Sequence, residues 1–268
     1  MVFASDSRTN AGFDQISTFR KMAVYESPGD RFMVLLSSGN LSITQSVREI
    51  LQRGHLAQAA QGEPVEAEAA TIWNVRSMFD AARVLGNTVR RVYDQDGPAL
   101  RAAGIDYGCT LILGGQLKGE AMRLFLVYST GNFIEATDET CYFQIGEAKY
   151  GKPVLDRMLL PSTPLPDATK CALVSIDSTL KSNLSVGLPI DLVVYQADAL
   201  RSDELVCIDE TNPYFSMIRQ SWGDRLQAAF TAIDNPAWSA APSAHPLKVA
   251  SQRYEVLPKI RVPHGGGG

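Results

Sequence analysis

Apolar positions recur every second residue near the start of the chain and every third or fourth residue further on, so strands come first and helices follow. Val2 to Ser5, Ile16 to Tyr25 and Arg31 to Ser37 are short apolar or alternating runs. The turn-forming strings Asn10-Ala11-Gly12 and Ser27-Pro28-Gly29-Asp30 separate them, and three strands are predicted. From Leu41 to Arg53 the apolar residues Leu41, Ile43, Val47, Ile50 and Leu51 fall at helical spacing, and Gly54 is expected to close that helix. Glu63-Pro64 opens a longer helical region. Ala70, Trp73, Val75, Phe79, Ala82, Leu85 and Val89 share one face of it, and Asp94-Gln95-Asp96-Gly97-Pro98 is expected to interrupt it after Val92.

Strands return at 109–115 and 122–128, with Gln116 to Glu120 as their hairpin connection, and again at Phe133 to Thr137 and Cys141 to Ile145. Helices are predicted from Lys152 to Leu160 and from a cap at Asp167 to about Leu184. Ile190 to Tyr195 reads as a buried strand, Leu205 to Ile208 as an edge strand, and Pro213 to Ile233 as a helix. This order is neither regular β-α-β alternation nor all-β. Each sheet and each helix must bury an apolar face, and two packed antiparallel sheets with helices on both outer faces satisfy that demand. The expected class is therefore α+β, a four-layer αββα sandwich forming one domain over 1–234. A Pro-rich surface tail over 235–268 follows, ending in a flexible glycine run.

Composition narrows the chemistry. An apolar share of 45% and a charged share of 20% suit a soluble globular protein, and a net charge of −4 gives nucleic acid no basic surface to bind. No apolar run reaches the ~18 residues of a membrane span, and no basic stretch leads into an apolar one as in a signal peptide. Cys109, Cys141, Cys171 and Cys207 form no CxxC pair, which fits reduced thiols in the cytoplasm. His55, His245 and His264 stand far apart and support neither a histidine triad nor a metal cluster. No cofactor is expected.

The chemistry concentrates at the start. Val2-Phe3-Ala4-Ser5-Asp6-Ser7-Arg8-Thr9-Asn10-Ala11-Gly12 is a strand running into a turn, and Lys21 follows in Ser17-Thr18-Phe19-Arg20-Lys21-Met22. On residue type alone, Asp6 can be a turn residue and Lys21 an edge guard, or hairpin pairing of their strands can bring the two together. Gly39 can be a plain strand-to-helix turn capped by Asn40, or a backbone N–H aimed at an oxyanion.

The string SDSRTNAG…STFRKM resembles the entry to a proteasome-type β subunit, and is most similar to the bacterial proteasome homologue family called Anbu. The resemblance runs from Met1 to about Tyr195. It implies the fold of N-terminal-nucleophile hydrolases, here expected to start one strand late, because in that family an earlier strand presents a catalytic Thr, Ser or Cys at its N-terminus. It further implies a threonine-type (or serine- or cysteine-type) peptidase subunit in a ring-like or helically stepped homo-oligomer, acting on polypeptides, with no nucleic acid or membrane partner. The α-amine of such a nucleophile, with a pKa near ~7.7–8.0, takes the proton of its own side chain.

By the same resemblance, Asp6 and Lys21 support that nucleophile and Gly39 supplies the oxyanion donor. Ser185 matches a serine that braces the amine. Ser182 stands where the family usually has an acid, and Glu147 stands beside Gly146 where many relatives carry a serine. A non-catalytic subunit of the same assembly, or a small-molecule amide hydrolase on the same fold, are the competing readings.

Overall fold

The structure is a computed structural model, and it describes residues 1–10, 16–60, 70–202 and 205–235. The chain forms one compact unit over Met1–Gln220 and a second over Ser221–Gly268. The expected tail lies, beyond Asn235, outside the described residues.

Two antiparallel sheets organise the first unit. Strands β4 (Met22–Ser27), β5 (Arg31–Gly39), β6 (Cys109–Leu117), β7 (Arg123–Val127) and β8 (Phe133–Glu135) form the larger, in that order. Strands β1 (Val2–Asp6), β9 (Ile190–Val194) and β10 (Leu205–Ile208) form the smaller, with β9 in the middle. A two-stranded ribbon, β2 (Arg8–Asn10) and β3 (Ile16–Thr18), carries the chain from β1 to β4.

Alternation along β5 shows why the layers stack. Met33 and Leu35 face helices α1 (Leu41–Ala60) and α2 (Met78–Ala102), in a core shared with Ile43, Val47 and Leu85. Phe32, Val34 and Leu36 face the smaller sheet, in a second core shared with Phe3, Val193 and Tyr195. Strand β5 is buried from Arg31 to Ser37, as a strand between two apolar layers must be. On the far side, α4 (Leu165–Ser182) packs on β1 and against α3 (Lys152–Met158). The four-layer αββα sandwich is the observed architecture. The last helix, α5 (Pro213–Thr231), buries Phe215 and Ile218 in the first unit, and Leu226 and Phe230 are exposed in the second.

Several boundaries differ from the pattern. The run Ile16 to Tyr25 is not one strand, because residues 19–21 leave β3 and enter β4 in a different sheet. Gly54 does not end α1. A glycine inside a helix costs only ~1 kcal/mol relative to alanine, and an amphipathic face with other anchors absorbs that. Residues 70–77, Trp73 and Val75 among them, form turns ahead of α2, while 64–69 lie outside the described residues. Helix α2 starts at the Ser77 cap, whose hydroxyl accepts from the Asp80 N–H, and runs through Asp94 to Pro98. Asp94 and Pro98 are exposed, so water can satisfy the carbonyl that the missing proline N–H leaves unpaired. Cys141 to Ile145 is irregular and not a strand. Helix α4 starts after Pro164, two residues before the Asp167 cap expected.

Candidate active site

Asp6 ends β1 in the smaller sheet, and Lys21 immediately precedes β4 in the larger. Their strands do not pair, so the hairpin route expected for bringing them together is not the one used. The β2–β3 ribbon crosses between the sheets and folds back instead, with the Phe19 N–H donating to the Ser7 carbonyl at 2.8 Å. The side chains meet nonetheless. Lys21 Nζ donates to Asp6 Oδ1 at 2.7 Å in a part-buried ion pair.

Both partners are held from elsewhere. The Gly187 N–H donates to Asp6 Oδ2 at 3.3 Å, which ties the loop after α4 to the start of the chain. The Lys21 carbonyl accepts from the Ser37 N–H at 3.0 Å and from Ser37 Oγ at 3.1 Å, which anchors the lysine to β5.

Gly39 ends β5 with φ +102°, and a Cβ there would lie 2.2 Å from the Gly108 carbonyl oxygen, so no other residue fits. Asn40 follows as the cap of α1, its Oδ1 accepting from the Ile43 N–H at 3.2 Å and from Ser42 Oγ at 2.7 Å. Asn40 thus caps α1, and Gly39 stands on the wall of a cavity shared with Lys21 and Ser185.

Ser185 reaches the site and Ser182 does not. Ser185 follows the end of α4, and its N–H and Oγ both donate to Asn183 Oδ1, at 2.8 and 2.7 Å. Asn183 Nδ2 donates to Glu147 Oε2 at 2.9 Å. Glu147, Asn183 and Ser185 thus form one chain of hydrogen bonds, and Glu147 and Ser185 face the cavity beside the ion pair. Ser182 is exposed and lies on neither cavity wall.

A cavity of about 370 Å³ runs along β1. All five β1 residues line it, with Lys21 and Ser37 at one end, Ile112 and Leu124 from the larger sheet, and Ala172 and Thr179 from α4. Among the described residues β1 pairs with β9 on one edge only. Two buried polar atoms on the wall, Ser5 Oγ and Gln144 Oε1, have no hydrogen-bond partner among the described residues. The arrangement offers backbone pairing groups along one strand edge, ending at an ion pair. The Met1 ammonium is not at that end. It donates to the Tyr195 carbonyl at 2.6 Å, burial lowers its pKa, and five residues of strand put it about 17 Å from Asp6.

Gly187, Asn183 and Arg48, which donates to the Arg20 carbonyl at 2.6 Å, were not legible as site residues. Gly187 reads only as the stop after a helix. Nothing in the sequence links it to Asp6, 181 positions away. No group of three or more His, Cys, Asp or Glu among the described residues is placed to hold a metal ion. No helix among them is long and apolar enough to cross a membrane.

No family model and no curated protein matches the chain. Solved structures do. The chain is similar to Anbu (ancestral beta-subunit) from Yersinia bercovieri at 49% identity and a TM-score of 0.80, covering 88% of this chain and 94% of that one. It is similar to Anbu from Hyphomicrobium sp. strain MC1 at 44% identity and a TM-score of 0.77, with the same coverage. A structure of the helical assembly of the Anbu complex from Pseudomonas aeruginosa matches at 42% identity and a TM-score of 0.80, covering 90% of this chain and 95% of that one.

Proposed function

Because this chain belongs to the Anbu family of proteasome β-subunit homologues, we propose that it is a peptidase subunit working through an N-terminal nucleophile in a homo-oligomer. The nucleophile is a Thr, Ser or Cys on a strand preceding Met1, seated in the cavity along β1 and antiparallel to it, so that its first residue lies beside Lys21. The observation that carries this reading is the part-buried ion pair of Lys21 and Asp6 at one end of that cavity. The edge of β1 that no described strand pairs, and the Ser5 and Gln144 atoms without a partner among the described residues, support a strand as the occupant. The helical assembly of the Pseudomonas aeruginosa relative supports self-association.

Each residue then has a stated task. The terminal α-amine takes the proton of the nucleophile, which adds to the peptide carbonyl carbon. The Lys21 ammonium favours the deprotonated nucleophile, and Asp6 keeps Lys21 in position. The Gly39 N–H and the positive end of α1 stabilise the oxyanion. Ser185, steadied through Asn183 by Glu147, accepts a hydrogen bond from the amine. The amine returns its proton to the leaving nitrogen, the C–N bond breaks, and water hydrolyses the acyl-enzyme.

The test is the mass of the protein, expressed with its upstream codons, after treatment with an acylating peptide probe. One adduct per subunit on the N-terminal residue is expected. Lys21→Ala should cut its rate by about 10²-fold or more, the scale of a lost acid–base or electrostatic contribution. A folded protein that takes no adduct would leave a non-catalytic subunit in its place.

A further inference from the structure

A second cavity, of about 470 Å³, adjoins the first and shares Lys21, Ser37, Ser38 and Ser185 with it. Its wall carries four cations, Arg8, Arg20, Lys21 and Arg48, and, among the described residues, no carboxylate. Lys21 is balanced by Asp6. The three arginines have no carboxylate partner among the described residues. Arg8 donates to the Leu184 carbonyl at 3.0 Å, and Arg48 donates to the Arg20 carbonyl at 2.6 Å. In a protein with a net charge of −4, three guanidinium groups without a carboxylate partner among the described residues, gathered around one concavity, run against the overall charge.

Gly187 leaves room for Arg8, since a Cβ there would lie 2.1 Å from Arg8 Nε and displace that side chain, and the same Gly187 holds Asp6 through its N–H. The first turn of α1, which contributes Thr44 to the wall, carries no acidic residue, so the positive end of that helix adds to the arginines' field. Phe19 gives the wall a half-exposed apolar surface. Guanidinium groups, a helix start and an aromatic edge match a carboxylate on a short apolar stem.

We propose that this cavity is the subsite for an acidic side chain, and that the chain selects polypeptides with Asp or Glu as the residue whose carbonyl is attacked. Gly39 stands on its wall, so a substrate carbonyl oxygen at the Gly39 N–H directs the side chain of that residue between Arg8, Arg20 and Arg48. The inference rests on the peptidase reading for the position of the carbonyl. The charge selectivity rests only on the cavity.

The experiment measures binding, not cleavage. Fluorescently labelled tetrapeptides ending in Glu or Gln, each as C-terminal amide and as free acid, are titrated into the full-length protein and followed by anisotropy. The Glu amide should bind at least about tenfold more tightly than the Gln amide, the scale of a charge-assisted hydrogen bond. The gap should shrink with added salt. It should largely vanish in Arg48→Met and narrow in Arg20→Ala, a substitution on an exposed side chain that tests the idea should Arg48→Met fail to fold. Equal binding of the two amides, no binding of any peptide, or a gap untouched by either substitution would overturn the proposal. Tight binding of both free acids alone would reassign the cavity to a chain terminus and overturn it too. Probe adducts without charge discrimination would sink this inference and leave the peptidase reading standing. Charge-selective binding without adducts would do the reverse.

Discussion

At the scale of single residues, the site is a matter of which groups hold which. Asp6 divides its oxygens between Lys21 and the Gly187 N–H, so one carboxylate fixes both a cation and a loop. Away from the site, Arg123 forms a two-pronged pair with Glu135, at 2.7 and 2.6 Å. The hydrogen bonds from Arg123 hold the Glu135 carboxyl below its ordinary value of 4.5. A carboxylate depressed in the folded state stabilises it above the unfolded value and loses that contribution as pH falls through the folded one. Both side chains are partly exposed, so the effect is no more than about 1 kcal/mol. Urea melts of Glu135→Gln should therefore show a small loss at pH 7 that closes well below pH 4.5. A gap that persists in acid would mean that Glu135 acts through packing.

Among the elements, β5 bears on both cores, and its apolar run Phe32-Met33-Val34-Leu35-Leu36 already read as a strand, while the split of that run between two cores came from the structure. Leu35 is fully buried against the α1–α2 layer. Leu35→Ala should cost about 2–5 kcal/mol in denaturant unfolding, the range for truncating a core leucine. A loss under 1 kcal/mol would mean that the layer can collapse around the gap. The two helix interruptions that the pattern misplaced share one cause. Gly54 and Pro98 look like breakers because their local cost is real, but a helix that buries one long face outweighs ~1–3 kcal/mol at a single position. Cys141 to Ile145 has the apolar pattern of a strand yet pairs with none among the described residues, and Tyr142 to Ile145 line the cavity instead.

Across the molecule, the two sheets of the first unit are coupled by more than apolar contact. Tyr195, just past β9, stacks on Phe32 of β5 with ring centroids 4.5 Å apart. Its hydroxyl donates to Gln116 Oε1 of β6 at 2.7 Å, and that oxygen also accepts from the Asp198 N–H. Tyr195→Phe keeps the ring and removes one donor from a buried acceptor that retains a second. The expected cost in thermal or urea unfolding is about 1–2 kcal/mol, and no measurable loss would show that the network is not coupled to folding. Such a bridge is invisible in sequence, since 79 residues separate its ends.

By itself the amino-acid sequence determined the layer count, most of the elements and the residue types from which a site could be made. Each of these follows from local periodicity and side-chain chemistry. It also carried, in Asp6, Lys21, Gly39 and Ser185, four residues that the fold brings to adjoining cavities. Only the tertiary structure decided that Asp6 and Lys21 meet across two sheets, that Ser182 stays outside while Asn183 links Glu147 to Ser185, and that Arg8, Arg20 and Arg48 converge. Those outcomes depend on where the chain closes on itself, and closure is set by burial of whole faces, which no short window of residues encodes.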